Sequence, residues 1–272
     1  MNLNTYNKPT KELFTLQERT VLVSGGLGGV GSPLIYSILE SGGDVVCLDL
    51  PTDPKDLDQF YHIASKNGTQ FFYHSVNVTD EKQLSKVVDE AVSKLRHPLR
   101  GVVTAAGISG EIDAVDYPAE SFRRMLEVNV MGTFLVVQAA ARVMQKQQVA
   151  GSVVLIASMS GSVANKGVNT AAYNTSKSAV LQLARSLAME WGNSPSHPTI
   201  RVNSVSPGYI YTRLTEGSLS NEETKKTWIE GNMLGRISHA EEYRAPILFL
   251  LSDGSSFMTG ADLRCDGGHC AW

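Results

Sequence analysis

Thr20-Val21-Leu22-Val23-Ser24-Gly25-Gly26-Leu27-Gly28-Gly29-Val30-Gly31 is the stretch from which the architecture can be read. Its first four residues are β-branched and apolar, the pattern of a parallel strand covered on both faces. They pass directly into glycines, which permit a tight turn and let an anionic group approach the backbone. A helix over 32–41 follows and stops at Gly42-Gly43. Its first turn would present unpaired N–H groups to the same point. A glycine-rich turn with no ligand would look the same in isolation, so the neighbours decide.

Working outward, Asp44-Val45-Val46-Cys47-Leu48-Asp49 reads as a second strand that closes on an acid. It lies roughly 20 residues beyond the glycines, where a dinucleotide-binding unit places a carboxylate on the adenosine ribose hydroxyls. A carboxylate there repels a 2′-phosphate, and no Arg or Lys follows at once; Lys55 is the nearest downstream cation. The spacing therefore predicts NAD, with NADP not excluded. Further strands are read at 71–78, 101–107, 153–157, 199–205 and 263–268, with helical stretches between them. Such alternation predicts an α/β fold, a doubly wound parallel sheet with its ligand at the carboxyl ends of the strands. The glycine loop, Asp49, Ala106-Gly107, Ser158 and Pro207-Gly208 all fall at those ends. Residues 1–17 read as an N-terminal arm with little order of its own, residues 18–272 as one domain, and about 209–237 as a lid with helix-prone pieces.

Tyr173 and Lys177 stand four apart in a helical stretch and so share one face. A nearby ammonium is expected to bring the phenol from about 10 toward the range where it can transfer protons. Ser158, at the end of the preceding strand, can sit beside it. Asn129 interrupts an apolar helical face; by itself it reads as a buried amide that satisfies backbone groups or bends the helix.

With 272 residues, 42% of them hydrophobic, the chain can fill one large core. The formal charge of −3 gives no footprint for nucleic acid or an anionic membrane. No stretch is expected to reach the ~20 apolar residues that span a bilayer. The first nine residues lack the apolar core of a secretory signal, so a cytoplasmic location is expected. Cys47, Cys265 and Cys270 form no disulfide or metal pattern, and no metal is expected.

Taken together the residues resemble the short-chain dehydrogenase/reductase family from about Glu18 to Gly268. Ser24-Gly25, followed by Gly29-Val30-Gly31, is similar to its TGxxxGxG coenzyme loop, with Leu27 inside it. Thr104-Ala105-Ala106-Gly107 is similar to its NNAG element, with Thr104-Ala105 in place of two asparagines. Asn129, Ser158, Tyr173 and Lys177 match its catalytic tetrad. Pro207-Gly208, Ile210 and Thr212 match the segment that holds the nicotinamide carboxamide, and Asn77 with Val78 the adenine contact, where many members carry Asp. The resemblance implies a single Rossmann domain and a nicotinamide-dependent enzyme in which Tyr173 transfers the proton and Ser158 orients the substrate oxygen. It implies that Lys177 lowers the phenol's pKa and holds the nicotinamide ribose, and that Asn129 anchors a water. It also implies a homodimer or homotetramer. Within the family, the residues around Ser158 and at 201–210 are most similar to fungal polyol dehydrogenases and ketose reductases acting on arabinitol, sorbose, sorbitol or xylulose. Tyr209, Tyr211, Trp228 and Met233 offer more apolar surface than a small sugar needs, so a bulkier ketone is the rival substrate. A dinucleotide-binding protein without turnover is the rival class.

Overall fold

The computed structural model describes residues 8–272 of the chain. Seven strands form one parallel sheet: β1 (Thr20–Ser24), β2 (Asp44–Asp49), β3 (Phe71–Ser75), β4 (Leu99–Thr104), β5 (Gly151–Ile156), β6 (Ile200–Pro207) and β7 (Asp262–Cys265). Their order across the sheet is β3-β2-β1-β4-β5-β6-β7, all parallel, so the connections reverse direction between β1 and β4. A crevice at the carboxyl ends is expected at that reversal.

Alternation along each strand assigns residues to two cores. Leu22, Val46, Val102, Val153 and Val202 face the layer that carries α3 (Glu81–Val92), α5 (Thr133–Lys146) and α6 (Ala171–Gly192). Val21, Val45, Cys47, Val154 and Val205 face α1 (Gly31–Glu40), α2 (Asp58–Asn67) and α9 (Arg244–Leu251). Local signals place the helix ends. Asp80 caps α3 by accepting from the Gln83 N–H at 3.0 Å, and Gly68 ends α2 in the left-handed region at φ 65°.

Two sequence readings are corrected here. Residues 119–147 form one continuous helical run, α4 (Ala119–Leu126), a π-helical turn (Glu127–Gly132) and α5, that is long and apolar enough to cross a bilayer. Its apolar side is used on the sheet instead, with Val136, Val137, Ala140 and Met144 fully buried. The arm expected to lack order is tied down from Lys8 onward. Thr10–Phe14 form a 3-10 helix, Leu16 is fully buried, and Lys8 pairs with Asp253 at 3.2 Å. An apolar residue that fills a gap between elements orders its own segment; residues 1–7 of the arm lie outside the described residues. The segment 209–237 carries two short helices, α7 (Glu216–Leu219) and α8 (Glu222–Glu230), packed through Leu219, Trp228 and Ile237.

Gly31 opens α1 where a Cβ would stand 2.1 Å from the Gly25 carbonyl oxygen. Gly31→Ala is therefore expected to cost about 1–3 kcal/mol through overpacking. Gly217→Ala, where a Cβ meets nothing within 4 Å, should change stability by under about 0.5 kcal/mol. Urea unfolding of both variants checks this, and equal midpoints would refute it.

Candidate active site

Two adjoining concavities open along the carboxyl edge of the sheet. The larger is a cleft of about 730 Å³ walled by Gly25, Leu27, Asp49, Asn77, Val78 and Ala106. Gly25 sits at φ 67° with the place of a Cβ only 2.4 Å from the Ala106 N, so the turn after β1 and the exit of β4 touch through bare backbone. No residue with a side chain fits there without moving that strand exit. Asp49 is oriented by the loop itself: the Leu27 N–H donates to one carboxylate oxygen at 2.9 Å and the Leu50 N–H to the other at 2.8 Å. Asn77 spends its side-chain oxygen locally, accepting from the Thr79 N–H at 3.1 Å and its hydroxyl at 3.0 Å. Lys55, Arg124 and Arg213 line the same cleft and balance an anionic ligand.

The second concavity, of about 160 Å³, joins the first at Ala105 and Gly107. Ser158, Tyr173 and Lys177 line it together with Val30, Pro207, Gly208, Ile210 and Thr212. Ser158 lies just beyond the end of β5, its oxygen accepting from the Ser160 N–H at 3.1 Å, and its hydroxyl is near enough to the Tyr173 phenol to pull the phenol's pKa down. Lys177, one turn along α6, is buried and donates to the Ile156 carbonyl at 2.8 Å, with its nitrogen 5.7 Å from the Tyr173 ring centre.

The electrostatics differ from the sequence expectation. Burial pushes the Tyr173 phenol up, and the Ser158 hydroxyl only partly opposes this. Burial also lowers Lys177, to about 8. The cation was expected to pull the phenol down, but it is committed to a backbone carbonyl and is itself easier to neutralise. In this state the phenol is held protonated.

Four predicted site residues touch neither concavity. Ser24 lies inside β1, Gly29 packs on the Thr212 methyl, Gly31 supports the loop from below, and Asn129 is buried behind the site. Asn129 sits in the π-helical turn, where its amide brackets Ile108: the oxygen accepts from the Ile108 N–H and the nitrogen donates to the Ile108 carbonyl, both at 2.9 Å. Its second N–H goes to the Ser176 hydroxyl at 2.9 Å. Both donors are thus used within the protein, as the buried-amide reading expects. Thr104 leaves its hydroxyl buried without a partner, as does Ser24 beside it, so a hydrogen bond across the central strands is missing here. Among the described residues, no cluster of three or more His, Cys, Asp or Glu could hold a metal.

Sequence reasoning overlooked Ile108, Glu111, Thr170 and Ser218 in the second concavity. Ile108 could have been found by counting on from Gly107. The Ser218 hydroxyl's bond to the Glu111 carboxylate could not, because 107 residues separate them.

Comparison with known proteins agrees with this geometry. A family model described as enoyl-(acyl carrier protein) reductase matches residues 27–269. The chain belongs to the short-chain dehydrogenase/reductase family. It is an oxidoreductase, and the family binds NAD(P). The chain is 51% identical over 263 residues to a short-chain dehydrogenase/reductase, notP′, of Aspergillus versicolor, covering 96% of this chain and 90% of that one. It is 35% identical to the NADH-dependent L-xylulose reductase of Ambrosiozyma monospora, covering 95% and 97%. Among solved structures, the NADPH-dependent 3-quinuclidinone reductase of Rhodotorula rubra superposes with a TM-score of 0.86 at 31% identity, covering 98% and 97%. The likeness to fungal ketose reductases agrees with the resemblance drawn from the motifs.

The lowered Lys177 gives this dehydrogenase/reductase a testable pH signature. Its folded pKa of about 8 lies below the unfolded value of roughly 10.4, so the unfolded chain binds the extra proton between them. Stability contributed by this group therefore rises with pH across that window, by up to about 3 kcal/mol. The unfolding free energy of wild type minus that of Lys177→Met should climb from pH 8 to 10; a flat difference would contradict it.

Proposed function

We propose that the protein is an NAD(H)-dependent reductase of a bulky, largely apolar ketone, also able to oxidise the corresponding secondary alcohol. The observation that carries the substrate reading is a stacked aromatic wall. Tyr209 and Trp228 lie 3.8 Å apart between ring centres at 3° in the second concavity, with Val168, Met159 and Leu214 lining it as well. The polar groups there already satisfy one another: the Asn165 amide donates to the Tyr209 hydroxyl at 3.2 Å, the Thr170 hydroxyl to Asn174 at 3.0 Å, and the Ser218 hydroxyl to Glu111. A polyhydroxylated substrate would have to replace those bonds one for one, whereas a flat apolar body only displaces water. The second reading, a polyol or ketose, rests on the 35% identity to the L-xylulose reductase.

Ser158 and Tyr173 address the substrate oxygen in this proposal. Tyr173, held protonated by burial, donates to a carbonyl oxygen while the Ser158 hydroxyl bonds the same atom. In this reading Lys177 holds the nicotinamide ribose, and Pro207, Gly208, Ile210 and Thr212, which line the same concavity, hold the carboxamide. The bound nicotinamide supplies or accepts the hydride. Asp49, fixed by two backbone N–H donors, favours a free 2′-hydroxyl and hence NAD, while Arg213 supplies charge toward the diphosphate. Segment 209–237 serves as the substrate lid. Assembly into a dimer or tetramer accompanies this reading, with Met189 on α6 at 75% exposure among the apolar groups available for contact.

Initial rates with both coenzymes across cyclic and aromatic ketones, ketoses and polyols test the proposal. The highest kcat/KM is expected on a bulky ketone with NADH. Trp228→Ala should raise KM at least tenfold for that substrate, a loss of about 1.4 kcal/mol. Higher kcat/KM on a pentitol or ketose would transfer the assignment to the second reading. Tyr173→Phe should abolish turnover while leaving NADH binding within about twofold; a variant that still turns over would remove Tyr173 from its role.

A further inference from the structure

At the opposite edge of the sheet, the amino-terminal ends of β1, β4, β5 and β6 surround a cavity of about 260 Å³ lined by Arg19, Arg100, Arg201 and Asp253. The established chemistry uses none of these residues. Three guanidinium groups share the cavity, and Asp253 is its one lining carboxylate among the described residues. That carboxylate is already engaged twice, by Arg19 at 2.9 Å and by Lys8 at 3.2 Å. The seven residues before Lys8 contain no acid that could add to it.

The three arginines do different things. Arg201 is a structural cation. One of its terminal nitrogens donates to the Leu250 and Ser252 carbonyls and the other to the Met258 carbonyl and the Ser255 hydroxyl, at 3.0 to 3.2 Å. Arg100, half-buried on β4, donates through Nε to the Ala150 carbonyl at 3.0 Å, and its two terminal nitrogens have no protein acceptor among the described residues. Arg19 is 8% exposed, and its Nε is buried without any partner. An unpaired N–H on a buried cation is costly, and an excess of positive charge in a cavity costs more. Burial lowers Arg201 to about 10 and lowers Arg100 as well; the Arg19 charge adds to both shifts and Asp253 opposes them. The planar donor fork of Arg100, beside two further guanidinium charges, is suited to the oxygens of a tetrahedral anion.

We propose that this cavity is an oxyanion site that takes inorganic phosphate or the phosphate group of a small metabolite, held by the terminal nitrogens of Arg100 in the positive field of Arg19 and Arg201. The bound anion would link the start of β4 to the segment before β1 and to the end of α9, on the side of the sheet remote from the active site.

The probe is inorganic phosphate, titrated calorimetrically at constant ionic strength into protein whose dinucleotide cleft is saturated with NADH. One saturable site per chain is expected, at least tenfold weaker in Arg100→Gln and unaltered in Arg213→Gln, whose side chain lines the cleft. Glucose 6-phosphate set against free phosphate tells whether a metabolite's phosphate group is accepted. Hydrogen exchange gives a readout on wild type that needs no variant, with phosphate slowing the amides at 150–152 and 199–201. No saturable binding, binding lost in Arg213→Gln but kept in Arg100→Gln, or protection confined to 25–31 would each overturn the proposal.

Discussion

The contact between the Gly25 turn and the exit of β4 is the constraint on which the rest of the molecule depends. Two parallel strands lie side by side, one leading into a helix on each face of the sheet, and the turn after β1 meets the exit of β4 only because Gly25 carries no side chain at their contact. The crevice that opens there is lined by backbone N–H groups and by Asp49, whose carboxylate is fixed by two of them. Gly31 and Gly29 extend the same requirement to the loop's underside and to Thr212 across the second concavity. The two adjoining concavities are therefore consequences of one close approach.

Burial then sets the chemistry. Tyr173 and Lys177 are brought together by helical spacing, but what their charges do depends on what surrounds α6. Lys177 donates a hydrogen bond to the Ile156 carbonyl at 2.8 Å, and desolvation raises the phenol and lowers the amine. A buried amine that is half neutral near pH 8 is a reservoir of pH-dependent stability, the usual cost of placing a titratable group where a reaction needs it. Asn129 stabilises the site from behind. By pairing both backbone groups of Ile108 in a π-helical turn, it holds the strand exit that carries Gly107.

The segment 209–237 is held by contacts between distant parts of the chain. Trp228 donates to the Lys166 carbonyl at 3.2 Å and stacks on Tyr209, which meets His269 edge-on. Trp272 donates to the Gly231 carbonyl at 3.1 Å, so the C-terminal residues brace α8. The second concavity is thus walled by two aromatic rings, Tyr209 and Trp228, that are braced by the C-terminal residues.

Much of this was legible in the sequence because it is local. A β-branched run followed by glycines, an acid at the end of the next strand, and a tyrosine and lysine four apart are each specified by periodicity or by backbone sterics, and the doubly wound sheet follows from their order. Short-range rules also located the stop at Gly42. They could not locate what long-range packing decides. Whether Lys177 lowers the phenol or bonds a carbonyl depends on β5. Whether Thr104 finds a partner depends on β1, and whether residues 8–17 lie idle or fill a gap depends on Leu16 meeting α1 and β2. The meeting of Arg19, Arg100 and Arg201 around one cavity has no sequence signature either. They stand on elements that become neighbours only when the sheet closes, and the free energies of burial and charge that decide their roles exist only in the folded chain.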